Sequence, residues 1–157
     1  MKKKLTFDYD EENGLMIAQL RTGGKTYFGM ATKNPEDDPF PPSFSIGEKI
    51  AEARAYKNMY SDQIIDKKFE LKGLERLLAA MPVGAINRHY VEHLYNAIVY
   101  ELEGLKLAKY ECDRAVNTAI ESRNIYIKSR TTNKEERDKI LNQLGEAIKK
   151  LSQDKND

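Results

Sequence analysis

A seven-residue repeat of apolar residues within residues 87–123 is the feature that most constrains this fold. Its members share one face of a predicted helix and are Val91, Ile98, Leu105, Cys112 and Ala119. Flanking residues widen that face, namely Leu94, Tyr95, Leu102, Ala108, Ala115 and Val116. At about 1.5 Å per residue this helix would be roughly 50 Å long, which exceeds the diameter of a compact domain of this length. The apolar face therefore needs a second long helix, a second copy of the chain, or both.

A partner helix is predicted over residues 45–81. Ser45 and Glu48 fit a capping box at its start, and Pro82 would end it. Its apolar residues also recur at multiples of seven, as at Ile50, Ile64, Leu71 and Leu78. The turn that follows is short, so we expect the helix of residues 87–123 to fold back antiparallel.

Residues 1–31 are predicted to form a three-stranded antiparallel β-meander. Runs of β-forming residues alternate with Asn13-Gly14 and Gly23-Gly24, and these pairs supply the positive φ angles of hairpin turns. Three strands are only marginally stable alone, so one face of the sheet should pack on the helices. Residues 32–44 hold too many prolines and carboxylates for regular structure and are predicted to form a loop.

The chain changes character after residue 123. Residues 124–130 are β-branched, aromatic and alternating, which favours an extended segment, with a frayed helix end as the alternative. Thr132 and Glu135 then fit a second capping box, so a short C-terminal helix is predicted over residues 133–151. These elements predict a single α+β domain, in which a small N-terminal antiparallel β-meander packs on an antiparallel pair of long helices plus a short C-terminal helix.

The charge balance limits the partners of this chain. There are 26 basic and 25 acidic residues, so the net charge of +1 gives no global field to attract a nucleic acid or an anionic membrane. No run of eighteen apolar residues occurs, and a single cysteine suits a reducing compartment. We expect a soluble, cytoplasmic protein that does not bind a membrane, and the charge balance disfavours a nucleic-acid partner.

The common sequence motifs of catalysis are missing. The chain contains no nucleophile elbow, no phosphate-binding loop and no dinucleotide-binding glycine motif. His89, Glu92 and His93 have the spacing of an inverted zinc-peptidase motif, but a third ligand is not evident and Arg88 would repel a dication. We therefore expect no enzyme activity, no metal and no cofactor.

A candidate anion site precedes the predicted C-terminal helix, where first-turn amides and the helix dipole favour negative charge. Its residues are Arg123, Tyr126, Lys128, Arg130, Thr131, Thr132 and Asn133. Arg130 would pair with phosphate and Tyr126 would stack on a base, while the two threonines would hydrogen-bond phosphate or ribose. The alternative is that Thr132 only caps the helix and the cations are solvated. A similar, secondary set stands at the other predicted helix start and consists of Asn87, Arg88 and Tyr90.

Three stretches in the first third of the chain point to a family. They are Phe28-Gly29-Met30-Ala31, Asn34-Pro35-Glu36-Asp37, and Gly47, Ile50, Ala51, Ala53, Arg54 and Ala55 at a helix start. In this order they resemble small phage proteins of the first Thoeris anti-defence family. The resemblance implies an oligomeric sponge, which binds the cyclic ADP-ribose signal made by the host's TIR-domain protein and sequesters it without cleavage. It places no ligand-binding residue of the family on a numbered position.

The predicted function is the sequestration of a cyclic ADP-ribose-type nucleotide in the host bacterial cytoplasm, which would block Thoeris antiphage signalling. We expect a homo-oligomer, at least a dimer, whose interface is the helix side that carries Tyr95, Leu102 and Val116. Two alternatives stay open. One is a structural phage protein that acts through helix-mediated association with another protein, and the other is a nucleic-acid-binding module, which the charge of +1 disfavours.

Overall fold

The computed structural model describes residues 2–32 and 44–154, apart from the side chains of residues 130–133 and 154. Three strands come first, β1 (Lys4–Asp10), β2 (Leu15–Thr22) and β3 (Lys25–Thr32), and they form one antiparallel sheet in the order β1-β2-β3. Two helices follow, α1 (Phe44–Ala80) and α2 (Arg88–Asp154). The predicted α+β class is confirmed, because the meander packs on a pair of long helices. Most of the loop predicted over residues 32–44 lies outside the described residues.

Both hairpin turns are built as the sequence predicts. Gly14 has a φ of 59° in the first turn, and Gly23 and Gly24 have φ of 58° and 75° in the second. Glycine adopts this left-handed conformation without the steric cost of a Cβ. In the first turn the Asp10 carboxylate also accepts a hydrogen bond from Asn13 Nδ2 at 2.8 Å. The turns thereby fix the register that puts alternate strand residues against the helices.

The core lies between the sheet and one end of the helix pair. Its buried residues are Met16, Ala18, Leu20, Ala31, Ile50, Ala51, Ala55, Met59 and Ala119. Successive side chains of a strand point to opposite faces, so the outer face of β3 exposes Phe28 and Met30. The start of α1 is therefore the helical segment that the sheet covers, and Ala119 in the middle of α2 completes the core beside α1.

Strand β3 and helix α1 meet at a close backbone contact. A Cβ at Gly29 would overlap the carbonyl oxygen of Ala51 and the amide nitrogen of Ala55. Beside this contact, Arg54 Nη1 donates to the Met30 carbonyl at 2.6 Å, and Asn58 Nδ2 donates to the Phe28 carbonyl at 2.7 Å. Gly29, Ala51 and Ala55 thus have a packing role in this chain.

The two helices are antiparallel, as the short connection predicts. Lys57 Nζ lies 2.6 Å from Asp113 Oδ1, and Lys67 Nζ lies 2.9 Å from Glu101 Oε2. Between these two ion pairs, Leu102 is 6% exposed. Val116 packs against the core, and Tyr95 Oη donates to Glu75 Oε1 of α1 at 3.4 Å. The subunit interface predicted on this side is therefore wrong, because α1 and the core occupy it within the chain.

Helix α2 does not end near residue 123. It continues to Asp154, so the extended segment predicted over residues 124–130 is wrong, and Thr132 lies inside a helix instead of capping one. Adding a residue to an existing helix gains a hydrogen bond, whereas starting a new helix carries a nucleation cost. No proline follows Arg88 in α2, so nothing forces a break. Residues 133–151 are helical as predicted, but as the end of α2.

A candidate ligand-binding groove between the helices

The anion site predicted from the sequence loses its helix start. Residues 123–133 lie inside α2, where backbone amides are already hydrogen-bonded to carbonyls one turn earlier. Arg123, Tyr126 and Lys128 are each engaged in interactions within the chain. The side chains of Arg130, Thr131, Thr132 and Asn133 lie outside the described residues, so their contact with a ligand stays a prediction.

The secondary set does stand at a helix start, but its arginine has a structural partner. Arg88 Nη1 donates to the carbonyls of Leu78 and Met81, each at 3.0 Å, and its Nε donates to Glu92 Oε1 at 3.1 Å. Arg88 therefore caps the C-terminus of α1. Asn87 and Tyr90 are exposed. Roughly 50 Å of helix separates this set from Arg123, so one chain cannot bring both sets to one ligand.

A membrane span and a metal cluster are both missing from the described residues. His89 and His93 are exposed near the start of α2. Within residues 2–32 and 44–154, no three His, Cys, Asp or Glu side chains are grouped so as to hold a metal ion. No helical stretch of those residues is apolar enough to cross a membrane.

A groove of about 730 Å³ runs between the first half of α1 and the middle of α2. Its lining residues are Ile46, Lys49, Glu52, Ala53, Tyr56, Tyr60, Ala108, Glu111, Cys112, Arg114, Ala115, Thr118, Ala119 and Ser122. The wall from α2 is built largely of small side chains, such as Ala108 and Ala115, while the wall from α1 carries two tyrosines. Small residues opposite large ones leave the space between the helix axes unfilled.

The aromatic wall of the groove is formed by Tyr56 and Tyr60. Their ring centroids are 6.2 Å apart, with 36° between the ring planes. Burial raises the pKa of the Tyr60 phenol, with smaller contributions from Cys112 and Tyr56, so this phenol is neutral at physiological pH and can donate a hydrogen bond. Lys3 Nζ lies 5.6 Å from the Tyr56 ring centroid and places a cation beside this wall.

The polar side chains of the groove are balanced in charge. Lys49 and Arg114 supply cations, and Glu52 and Glu111 supply anions. Arg114 Nη1 is 3.7 Å from Glu111 Oε1, which is too long for a direct hydrogen bond, so Arg114 keeps its donors for a ligand. Along the same wall, the Thr118 and Ser122 hydroxyls donate to carbonyls one turn earlier, each at 3.0 Å. Their oxygens can still accept hydrogen bonds from a ligand.

Cys112 forms part of the groove floor as a thiol. It is a free cysteine and is buried, as the sequence predicts. Burial, followed by the neighbouring Asp113, raises the pKa of Cys112, while Lys57 opposes this effect. A thiol with a raised pKa is largely protonated at neutral pH and is a poor nucleophile. The groove is therefore better suited to binding than to covalent chemistry.

Searches of protein-family models, curated proteins and solved structures gave no match. The groove was not predicted from the sequence, because Tyr56 and Tyr60 fall on the same face of α1 as core residues. A signal was nevertheless present, since two tyrosines one turn apart lie across from alanines on the partner helix. Recognising it requires the pairing register of the two helices, which the sequence alone does not supply.

Proposed function

We propose that this protein binds and sequesters a cyclic ADP-ribose-type nucleotide without cleaving it, and so blocks Thoeris antiphage signalling in the cytoplasm of the host. The observation that carries the proposal is the groove, which combines an aromatic wall, two cations and two hydroxyl oxygens in one cleft. Its volume of about 730 Å³ falls in the range of small-molecule sites. The resemblance to the first Thoeris anti-defence family supplies the class of nucleotide.

Each part of such a ligand has a counterpart in the groove. A purine base would stack on Tyr56, since offset stacking of aromatic rings is favourable. Arg114 would hold the diphosphate through paired hydrogen bonds, which suit the planar guanidinium. The Thr118 and Ser122 oxygens would accept hydrogen bonds from ribose hydroxyls. A ligand whose charge is confined to one diphosphate needs only local cations such as Arg114 and no basic surface.

Sequestration also fits the chemistry that the groove offers. Its described lining holds a protonated thiol and no histidine. Both histidines of the chain lie near the start of α2, roughly 22 Å or more along the helix from Ala108, the nearest groove residue of α2. Tight binding without turnover needs no general base, so the lining residues would contribute affinity only.

The test is retention followed by release. The purified chain is incubated with a cyclic ADP-ribose isomer, freed of unbound ligand by desalting, and heated, and the supernatant is analysed by mass spectrometry. Intact ligand is expected from the wild type. Tyr56→Ala and Arg114→Gln should each retain about tenfold less or worse, because each removes stacking or charge-assisted hydrogen bonds.

Two further variants separate this groove from the site predicted on the sequence. Arg130→Gln tests the sequence-based site, and Arg137→Gln is the matched control on an exposed stretch of the same helix. Full retention by both is expected. Loss of ligand with Arg130→Gln but not with Arg114→Gln would move the site to residues 123–133. Recovery of a hydrolysed product would show an enzyme, and no retention by the wild type would favour the structural alternative.

A further inference from the structure

The last part of α2 is uncovered in the single chain. We call residues 134–153 the C-terminal extension, and every side chain in it is exposed. Lys57 faces Asp113 and Lys67 faces Glu101, and this register places the first residue of α1 opposite about residue 125 of α2, because both helices rise equally per residue. The described part of α1 therefore ends before the extension begins.

The extension nevertheless carries an apolar seam, and Ile140, at 57% exposed, lies beside its first residue. Its members are Leu141 at 57% exposed, Leu144 at 55%, Ile148 at 63% and Leu151 at 65%. They are spaced by three, four and three residues, which is the a/d spacing of a coiled coil. A seam of this kind is buried by one further helix, whereas the broader face of a globular helix needs more. The surface that would cover this seam is therefore a single helix with an apolar seam of its own.

We propose that the seam pairs with the same seam of a second copy, in antiparallel orientation, to form a two-helix coiled coil. Spacing of three, four and three is unchanged on reversal, so the seam is complementary to itself about a twofold axis near Glu146. Leu141 would then oppose Leu151 of the second copy, and Leu144 would oppose Ile148. Contacts of this reciprocal type are the rule in symmetric dimers.

The residues beside the seam fit this pairing. Gly145 and Ala147 flank the twofold axis, and a Cβ at Gly145 would meet nothing within 4 Å in the single chain. Small residues at such a crossing let two helix backbones approach closely. The side chains of the two copies would therefore interdigitate along the whole seam.

Charge selects the antiparallel over the parallel arrangement. Continued towards the N-terminus, the a/d spacing falls on Lys134 and Arg137, which are both cations. A parallel dimer in register would place each of them against its own copy at the centre of the interface, where like charges repel. Antiparallel pairing about Glu146 moves both residues beyond the end of the opposing seam. The arrangement thus buries the apolar residues without burying the cations.

This interface lies apart from the groove. Between Ser122, the last groove residue, and Leu141, the first seam residue, α2 extends roughly 28 Å. The proposal therefore goes beyond nucleotide binding and does not rest on it. Loss of pairing would leave ligand retention by each chain unchanged.

The first test measures mass by light scattering. The wild type at about 50 μM is expected at twice the 18.0 kDa chain or at an even multiple. A chain with Leu144→Glu and Ile148→Glu should show half the wild-type mass, with association weakened about a hundredfold or more. A chain with Asn142→Glu and Gln143→Glu, which adds the same two charges off the seam, should keep the wild-type mass. Circular dichroism and ligand retention check that the variant remains folded.

Three outcomes would overturn the proposal. They are a monomeric wild type, a seam variant with undiminished mass, and a wild type whose self-association is displaced by no peptide of residues 134–153. Orientation has its own test in oxidative cross-linking. A chain with Leu141→Cys and Leu151→Cys should form a disulfide-linked dimer, whereas Leu151→Cys alone should not, because that residue would face position 141 of the second copy. Efficient cross-linking of Leu151→Cys alone would show a parallel pair and contradict the arrangement.

Discussion

Two segments of the same helix have opposite surroundings. Residues 108–122 of α2 face α1, and they bury Cys112 and Ala119. The C-terminal extension is equally helical, yet no side chain in it is buried. Helical structure therefore follows from local hydrogen bonding along the chain, whereas stability and a ligand-sized cleft arise only where other elements cover the helix. Substitutions in the covered parts of the chain should consequently lower the free energy of unfolding more than substitutions in the C-terminal extension.

The largest effect is expected at the contact that joins the sheet to α1. Gly29→Val should lower the free energy of unfolding by about 3 kcal/mol or more, because its side chain would overlap the backbone of α1 and force β3 away. Urea unfolding followed by circular dichroism gives the value.

The matched control for this change is Gly104→Ala. Nothing lies within 4 Å of a Cβ at Gly104, so this change should be neutral or stabilise the helix by about 0.5–1 kcal/mol. A Gly29→Val chain as stable as the wild type would mean that the sheet does not pack on α1 through Gly29.

A smaller effect is expected for removing one core side chain. Met59 is 1% exposed, so Met59→Ala should cost about 2–3 kcal/mol through lost burial and the cavity left behind. Ile148, at 63% exposed, is the counterpart in the extension, and Ile148→Ala should cost less than about 1 kcal/mol in dilute protein. Urea titrations give the free energy of unfolding of each variant. An equal decrease for Met59→Ala and Ile148→Ala would contradict the difference between the two segments.

The smallest effect is expected from a polar link between β3 and α1, and it depends on pH. Asp62 accepts hydrogen bonds from Tyr27 Oη at 2.6 Å and from Lys25 Nζ at 2.9 Å. These bonds, the one from Tyr27 first, hold the pKa of Asp62 below its ordinary value of 3.8. A lowered folded-state pKa contributes stability above the unfolded-state pKa, and this contribution is lost as pH falls through the folded-state value.

Asp62→Asn should therefore melt at a lower temperature than the wild type at about pH 6. The difference should shrink as pH falls below 3.8 and disappear once Asp62 is protonated in the folded chain. Melting curves across this range provide the measurement. Asp138→Asn, in the extension, is the control and should leave the melting temperature unchanged throughout. A difference between wild type and Asp62→Asn that persists at the acid end would assign the effect to something other than this carboxylate.

Local chemistry made the sheet and the helix pair predictable. Gly14 and Gly23 mark turns that only a few conformations satisfy, and a short connection leaves two long helices little choice but to pack antiparallel. Residues 124–130 were harder to predict, because β-branched residues only weakly disfavour a helix that has already started. The candidate anion site depended on free backbone amides at a helix start at Thr132. Because α2 is continuous through residues 124–132, those amides are not free.

The groove and the placement of the interface depend on which side chains meet across helices. Leu102 and Leu144 both belong to apolar repeats, and no property of either residue reveals that only the first is covered by α1. Likewise, Tyr56 has the spacing of a core residue. It lines the groove because the residues opposite it on α2 include small alanines. Which side chains lie opposite each other depends on the pairing register of α1 and α2, and that register is set by the packing of the whole chain.

The length of α2 also determines how the protein moves through solution. Its 67 residues form a helix about 100 Å long. A compact chain of 157 residues would have a radius of gyration of about 15 Å, whereas a straight rod of that length has one of about 30 Å. A single chain should therefore diffuse slowly and elute early from a sizing column. Calibration with spherical standards would overstate its mass, so the number of copies has to come from scattering intensity instead of elution volume.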